Sequence, residues 1–454
     1  MPTRILIPSG VLGLGFDSEA LARGVENRPD AICIDGGSTD SGPFYLGTGT
    51  SKYSELATRA QWRELMQARA ALGVPLVIGS CGTCGTDSTV DWMFELTRQI
   101  AEELGQSVRV AKLYCSQSEE SLLQAARSNH VVPLAPELPL EDSAIESCTN
   151  VVALAGVEQI SEALATGADI VLAGRTTDTA VIAAIPISRG ENIGAAWHGA
   201  KIGECGALCS TNPVSGVIEI LFDTEGFTVS PLAESATCTP YSVSAHMLYE
   251  NADPLRLVEP GGTLVVSDAI YEAIDDRSVR VTGSVWEESE RYTVKLEGAR
   301  LVGYQTSALV LLRQPRYVAA ARQWTEQLHE FLLTTIEAQM QLTPENYDIE
   351  FRLIGVDATL GALETLDSLP AEVGVLMLVT AESQAVANDI ARLCNPYLLH
   401  YPLTPDEELP TFAFPYSPAE SDRGALYEFA LNHVMELQKP MDAFRLEVTE
   451  LNYA

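Results

Sequence analysis

The chain has 454 residues, 46% of them hydrophobic and 20% charged, enough for two or three domains with cores of their own. Its 62 acidic side chains against 28 basic ones leave a formal charge of −34, which sets the surface against nucleic acid and anionic membranes. No basic start precedes an apolar core and no apolar run is long enough to span a bilayer, so a cytoplasmic protein is expected. Its nine cysteines are then expected to be reduced rather than a disulfide framework.

The first elements alternate. Residues 4–7 start a strand that Pro8-Ser9-Gly10 ends, and a glycine-dotted turn leads into a helix from Asp17 to Val25. The second strand, Ala31–Ile34, ends at Asp35-Gly36-Gly37. Gly13, Gly15 and Asp35 imitate a dinucleotide fingerprint, but Ser18 stands where the third glycine belongs, so NAD(P) binding is only an alternative. Residues 35–43 form a polar loop in which Asp35, Gly36, Ser38, Thr39 and Asp40 are candidate ligand contacts.

A helix over 57–72 precedes the strand that ends at Ile78-Gly79. The loop Ser80-Cys81-Gly82-Thr83-Cys84-Gly85-Thr86-Asp87 then opens a helix near Ser88. Strand, small-residue loop and helix start make a recipe for holding an anion, which nominates Ser80, Cys81, Thr83 and Cys84. Further βα units follow: a strand at 108–114, a helix at 119–128, a surface connection at 131–148, a helix at 156–166 and a strand at 169–173. After this last strand comes Gly174-Arg175-Thr176-Thr177-Asp178-Thr179, a third polar loop. Arg175 offers a fork for a carboxylate or phosphate, with Thr176 beside it and Asp178 as a base or orienting group.

The stretch 196–209 reads as a helix with Glu204 among small and apolar neighbours, where burial would raise its pKa. His246 and Glu250 are four apart and are expected on one helix face, His246 as a general base. Closely spaced strand-like segments run from 263 to 312, a long helix from 317 to 341, and an α+β pattern of ferredoxin-like flavour to the end, with a helix at Ala425–Glu436. No metal-ligand spacing stands out. Cys81 and Cys84 with Cys205 and Cys209 make a weak zinc set, and Mg²⁺ on Asp35, Asp40, Asp87 and Asp178 stays open as an alternative.

Several strings resemble the acyclic terpene utilisation (AtuA-type) family. They are Gly174-Arg-Thr-Thr-Asp-Thr-Ala, Glu204-Cys-Gly-Ala, His246-Met-Leu-Tyr-Glu-Asn-Ala-Asp-Pro with Glu259-Pro-Gly-Gly, Tyr292-Thr-Val-Lys-Leu-Glu-Gly, and the run from Ser417 to His433. They occur in order along nearly the whole chain. The resemblance implies catabolism of branched, terpenoid acids as coenzyme A thioesters. Cys81 and Cys84 depart from the alanine or glycine common at those places, and Ala200 from a histidine seen in longer members.

The expected architecture is α/β. A mostly parallel, Rossmann-like sheet with helices on both faces (1–225) precedes a β-rich segment (226–315) and a small α+β portion (316–454). The expected function is an enzyme acting on a small carboxylate or acyl-CoA thioester by proton transfer next to a carbonyl, a lyase (hydratase or dehydratase) or an isomerase. Glu204, His246 and Asp178 are its catalytic candidates. Coenzyme A would enter as part of the substrate. A homo-oligomer is expected, and a non-catalytic subunit working with a small companion protein is the further alternative.

Overall fold

The computed structural model describes residues 2–137, 139–365 and 368–453. They fall into two compact units, Met1–Arg300 with Phe429–Ala454, and Leu301–Glu428. The expected breaks after 225 and 315 do not coincide with these bounds.

The first unit is built on five short parallel strands: β1 (Thr3–Ile7), β2 (Ala31–Asp35), β3 (Leu76–Gly79), β4 (Val108–Tyr114) and β5 (Ile170–Ala173). Successive side chains of a strand point to opposite faces, and here both sets are apolar. Leu6, Ile32, Ile34, Leu76, Ile78 and Ile170 enter one core, with Leu21, Trp62, Leu65, Met93 and Leu96 from α1 (Ser18–Glu26), α2 (Glu55–Leu72) and α3 (Asp87–Leu104). Ile5, Ile7, Cys33, Val77, Leu113 and Val171 enter the other, against α4 (Val157–Ala165), α5 (Ala180–Ser188) and α6 (Ile193–Gly203). Sequence chemistry fixes where these helices start. Asp17 caps α1 by accepting from the Glu19 and Ala20 amides, and Asn192 caps α6 by accepting from the Ala195 amide.

The neighbours run β1-β2-β3-β5-β4, all parallel, so β5 fills the gap that the chain leaves between β3 and β4. The loops after β2, β3 and β5 therefore emerge side by side at the strand carboxyl ends, where open α/β sheets bind ligands. The sheet is less parallel than expected. Ile218–Phe222 pairs antiparallel with β1, Gly226–Pro231, Val279–Thr282 and Ile270–Ala273 extend that side, and Arg445–Leu451 pairs antiparallel with β4. Much of the β-rich segment thus joins the main sheet, while Arg256–Glu259, Gly262–Val265 and Val285–Glu288 form a separate antiparallel sheet. The expected surface connection at 131–148 contains a strand, Val131–Pro133, and a helix, Asp142–Glu146.

In the second unit, helices Ala321–Met340 and Gln384–His400 place Trp324, Leu328, Leu332, Ile390 and Leu398 on Val310, Val373, Val375, Met377 and Val379. The expected ferredoxin-like flavour holds. The chain order is β-α-β-β-α-β, and the sheet order is Tyr347–Ile354, Val373–Ala381, Tyr292–Leu312, Glu420–Leu437. The last of these replaces the helix expected at Ala425–Glu436. Leu431, His433 and Met435 are buried and their neighbours less so, which is the period of a strand and not of a helix. Among the described residues no helix is long and apolar enough to cross a membrane.

Candidate active site

The three loops at the carboxyl edge are locked together by their backbones. The Gly36 amide donates to Gly79 O at 2.8 Å, the Ser80 amide to Gly174 O at 2.8 Å and the Arg175 amide to Gly85 O at 3.0 Å. Gly36 and Gly85 permit this approach, since a Cβ would stand 2.2 Å from Ser80 O or 2.1 Å from Arg175 N. Thr83 adds a hydrogen bond to Gly36 O at 3.1 Å.

This packing consumes several candidate contacts. Cys81, Cys84, Ser80 and Thr83 are at most 1% exposed. Ser80 accepts from Arg175 Nη1 at 3.0 Å. Burial raises the Cys81 thiol well above its ordinary value, so it is no ready nucleophile. All nine cysteines are free.

Arg175 is not the open fork that was expected. Its Nε donates to Glu297 Oε2 at 3.0 Å, and Nη1 lies 3.5 Å from Asp178 Oδ1. Burial works against both charges of the Arg175–Glu297 pair. Arg175, then Lys295 and the Thr39 hydroxyl, nevertheless hold Glu297 down at about 2. A guanidinium so engaged positions loops and balances charge.

A surface cavity of about 730 Å³ opens above this layer. Of the expected contacts, Ser38, Asp40, Arg175, Thr176, Asp178 and Glu204 line it; Asp35, Gly36 and Thr39 lie beneath. Asp35 accepts from the Gly37 amide through Oδ2, while its buried Oδ1 has no partner among the described residues. Burial, then the Asp178 carboxylate, raise Asp35 well above the usual carboxylate range, against the pull of Arg175. Asp87 is not with them: it bonds Ser116 and pairs with Arg445 at 3.1 Å, so the four-aspartate Mg²⁺ cluster does not assemble.

Four acids that face the cavity titrate away from their ordinary values: Glu297 below, and Asp178, Glu204 and Glu259 above, each of these three raised by burial. Glu204 follows the end of α6 and is buried, ion-paired with Lys201. Burial pushes it up to about 8, with Asp178 and Glu259 adding to the rise and Lys201 opposing it. Glu259 ends the strand Arg256–Glu259. Its Oε1 accepts from the Thr179 hydroxyl at 2.7 Å, and its buried Oε2 has no partner among the described residues. Burial raises it to about 7, against the Thr179 and Thr177 hydroxyls. His246 is buried at the end of helix Pro240–His246, and burial, then Lys201, pull it down to about 4. The expected partnership with Glu250 fails, because the helix stops at His246 and Glu250 has left-handed backbone at φ +57°. Glu250 lies beside the Tyr249 hydroxyl instead and raises its pKa.

Sequence reasoning passed over Lys201, Glu259, Lys295 and Glu297. The signal was present for Glu297, an acid set inside the apolar run Leu296, Gly298 and Ala299 of a strand. Of the two glycines of the would-be dinucleotide turn, Gly13 has a neighbour in the protein itself, since a Cβ there would meet Tyr53 Cβ at 2.7 Å, whereas a Cβ on Gly15 would meet nothing within 4 Å.

Fold and site together define an α/β protein with an acid-rich cavity at the carboxyl edge of a parallel sheet core. The family model for acyclic terpene utilisation family protein AtuA matches residues 48–216 and 217–406, and the chain belongs to this family. The family's name ties it to acyclic terpene utilisation. No curated protein and no solved structure matches the chain.

Proposed function

We propose that the protein is a catabolic enzyme that takes a branched, terpenoid carboxylate or its acyl-CoA thioester and moves a proton next to the carbonyl, as a lyase of the hydratase type or an isomerase. The observation that carries this reading is Glu259. It lines the cavity, is held through one oxygen by Thr179, keeps the other oxygen without a partner among the described residues, and is raised by burial to about 7. A carboxyl poised near the working pH is what general acid–base chemistry requires. Glu204 fits the role less well, because Lys201 engages its carboxylate. Lys201 and Lys295 line the same cavity. Their ammonium groups would stabilise the negative charge that builds on a carbonyl oxygen as its neighbouring proton leaves. Arg175 contributes by holding the loops, since Glu297 occupies its fork.

The test is solvent exchange of the proton next to the carbonyl, followed by mass in D₂O, with branched acyl-CoA thioesters and the matching free acids. The wild type should exchange at least one of them. Glu259→Gln should lose roughly 10²–10⁴-fold in rate while still binding. Exchange at the wild-type rate in that variant would remove Glu259 from the chemistry. Absence of exchange and of binding across the whole panel would remove the substrate class.

A further inference from the structure

We propose that Glu204, Cys205 and His246 form a binding site for one divalent ion of the zinc class. One donor atom from each residue lies within 4.8 Å of the others. His246 is only 6% exposed, and its Nε2 is buried with no hydrogen-bond partner among the described residues. A buried ring nitrogen left in that condition costs free energy, and a metal ion would take up its lone pair.

The donors come from two helix ends. Glu204 and Cys205 follow the last turn of α6, and His246 closes helix Pro240–His246. Gly10 packs on the Cys205 backbone so closely that a Cβ would stand 2.7 Å from Cys205 Cα, which fixes where the thiol originates. A thiolate, an imidazole and a carboxylate make a borderline-soft set. It suits zinc and its relatives, whereas magnesium and calcium want oxygen alone. Three protein ligands leave the fourth tetrahedral position open. Glu204 lines the cavity, so a small ligand can reach that position from there.

The Lys201 ammonium on the Glu204 carboxylate is the opposing charge, and Asp178 and Glu259 in the same cavity offset it. Binding releases the Cys205 thiol proton to solvent as the sulfur takes the metal. The proposal concerns binding alone and stands whether or not Glu259 moves a proton.

The experiment uses the purified full-length protein and two probes, Co²⁺ alone and Zn²⁺ alone. One Co²⁺ per chain should bind with a near-ultraviolet thiolate-to-cobalt charge-transfer band, and one Zn²⁺ should displace it. Cys205→Ser should abolish the band, and His246→Asn should weaken binding at least tenfold or so. Cys148→Ser, a partly exposed cysteine outside this cluster, should leave both unchanged. Metal-free melting of each variant checks that it folds. If His246→Asn does not fold, the band in wild type and its loss in Cys205→Ser still decide. No stoichiometric uptake, uptake without the band, or a band that survives Cys205→Ser would overturn the proposal.

Discussion

At the scale of single residues, the buried Arg175–Glu297 pair ties stability to pH. Glu297 has a folded pKa of about 2 against 4.5 for an ordinary glutamate. A depressed carboxyl contributes stability that is fully present above the unfolded value and is lost as pH falls through the folded one. The contribution is on the order of 3 kcal/mol, and it should fade between about pH 4.5 and pH 2. Glu297→Gln leaves the buried guanidinium with only the Asp178 carboxylate at 3.5 Å and should cost about 3–5 kcal/mol near neutral pH. The double change Arg175→Met with Glu297→Leu should cost much less, because it removes both charges. Urea denaturation of the three proteins checks this, and equal losses in the single and double variants would refute it. Glu259 has the opposite sign. Its folded pKa of about 7 lies above the unfolded one, so the folded state binds the extra proton and stability falls as pH rises from about 4.5 to 7. Glu259→Gln should make that decline shallower, as denaturation midpoints at a series of pH values would read.

At the scale of elements, the three loops stand or fall on glycine. Gly85 has φ +63°, and a Cβ there would stand 2.1 Å from the Arg175 amide nitrogen. Gly85→Ala should therefore destabilise by at least about 1–3 kcal/mol, from the backbone conformation alone, with the collision added. A melting temperature unchanged in that variant would mean that the loops are not interlocked as described. The positions of these loops were legible in the sequence because the signal is local: Ile78-Gly79 and Ala173-Gly174 end apolar quartets and small polar residues follow. What was not legible is long-range. Arg175 meets Glu297 across 122 positions and Asp87 meets Arg445 across 358, and no local pattern announces either partner. The tail shows the same competition in secondary structure. Ala425, Leu426, Glu428 and Ala430 favour a helix locally, yet the burial of Leu431, His433 and Met435 at alternate positions makes the segment a strand. Glu250 was misplaced for a related reason, since a helical spacing from His246 means nothing once the helix has ended.

For the whole molecule, the charge decides how stability responds to salt. Two effects compete. Surface ion pairs such as those of Arg98 with Glu95 and Glu102 are weakened by screening, but each contributes at most about 1 kcal/mol. Against them stands mutual repulsion among the acids. Even if each of the 28 basic side chains neutralised one acid, 34 of the 62 acids would keep uncompensated charge. Screening relieves that repulsion over every pair within reach, and the Debye length falls from about 10 Å at 0.1 M salt to about 3 Å at 1 M. Repulsion of this kind destabilises a compact state more than an expanded one, because unfolding lets the charges separate. The repulsive effect should win, so melting temperature should rise with NaCl from 10 mM to 0.5 M. A neutral osmolyte such as sucrose gives the comparison free of screening, and the rise in NaCl should be steepest at the low end, where the Debye length changes most. A melting temperature that falls over the same range would mean that ion pairs outweigh repulsion despite the imbalance. The acid excess would then be concentrated where the fold already places cations, as the cavity does with Lys201 and Lys295.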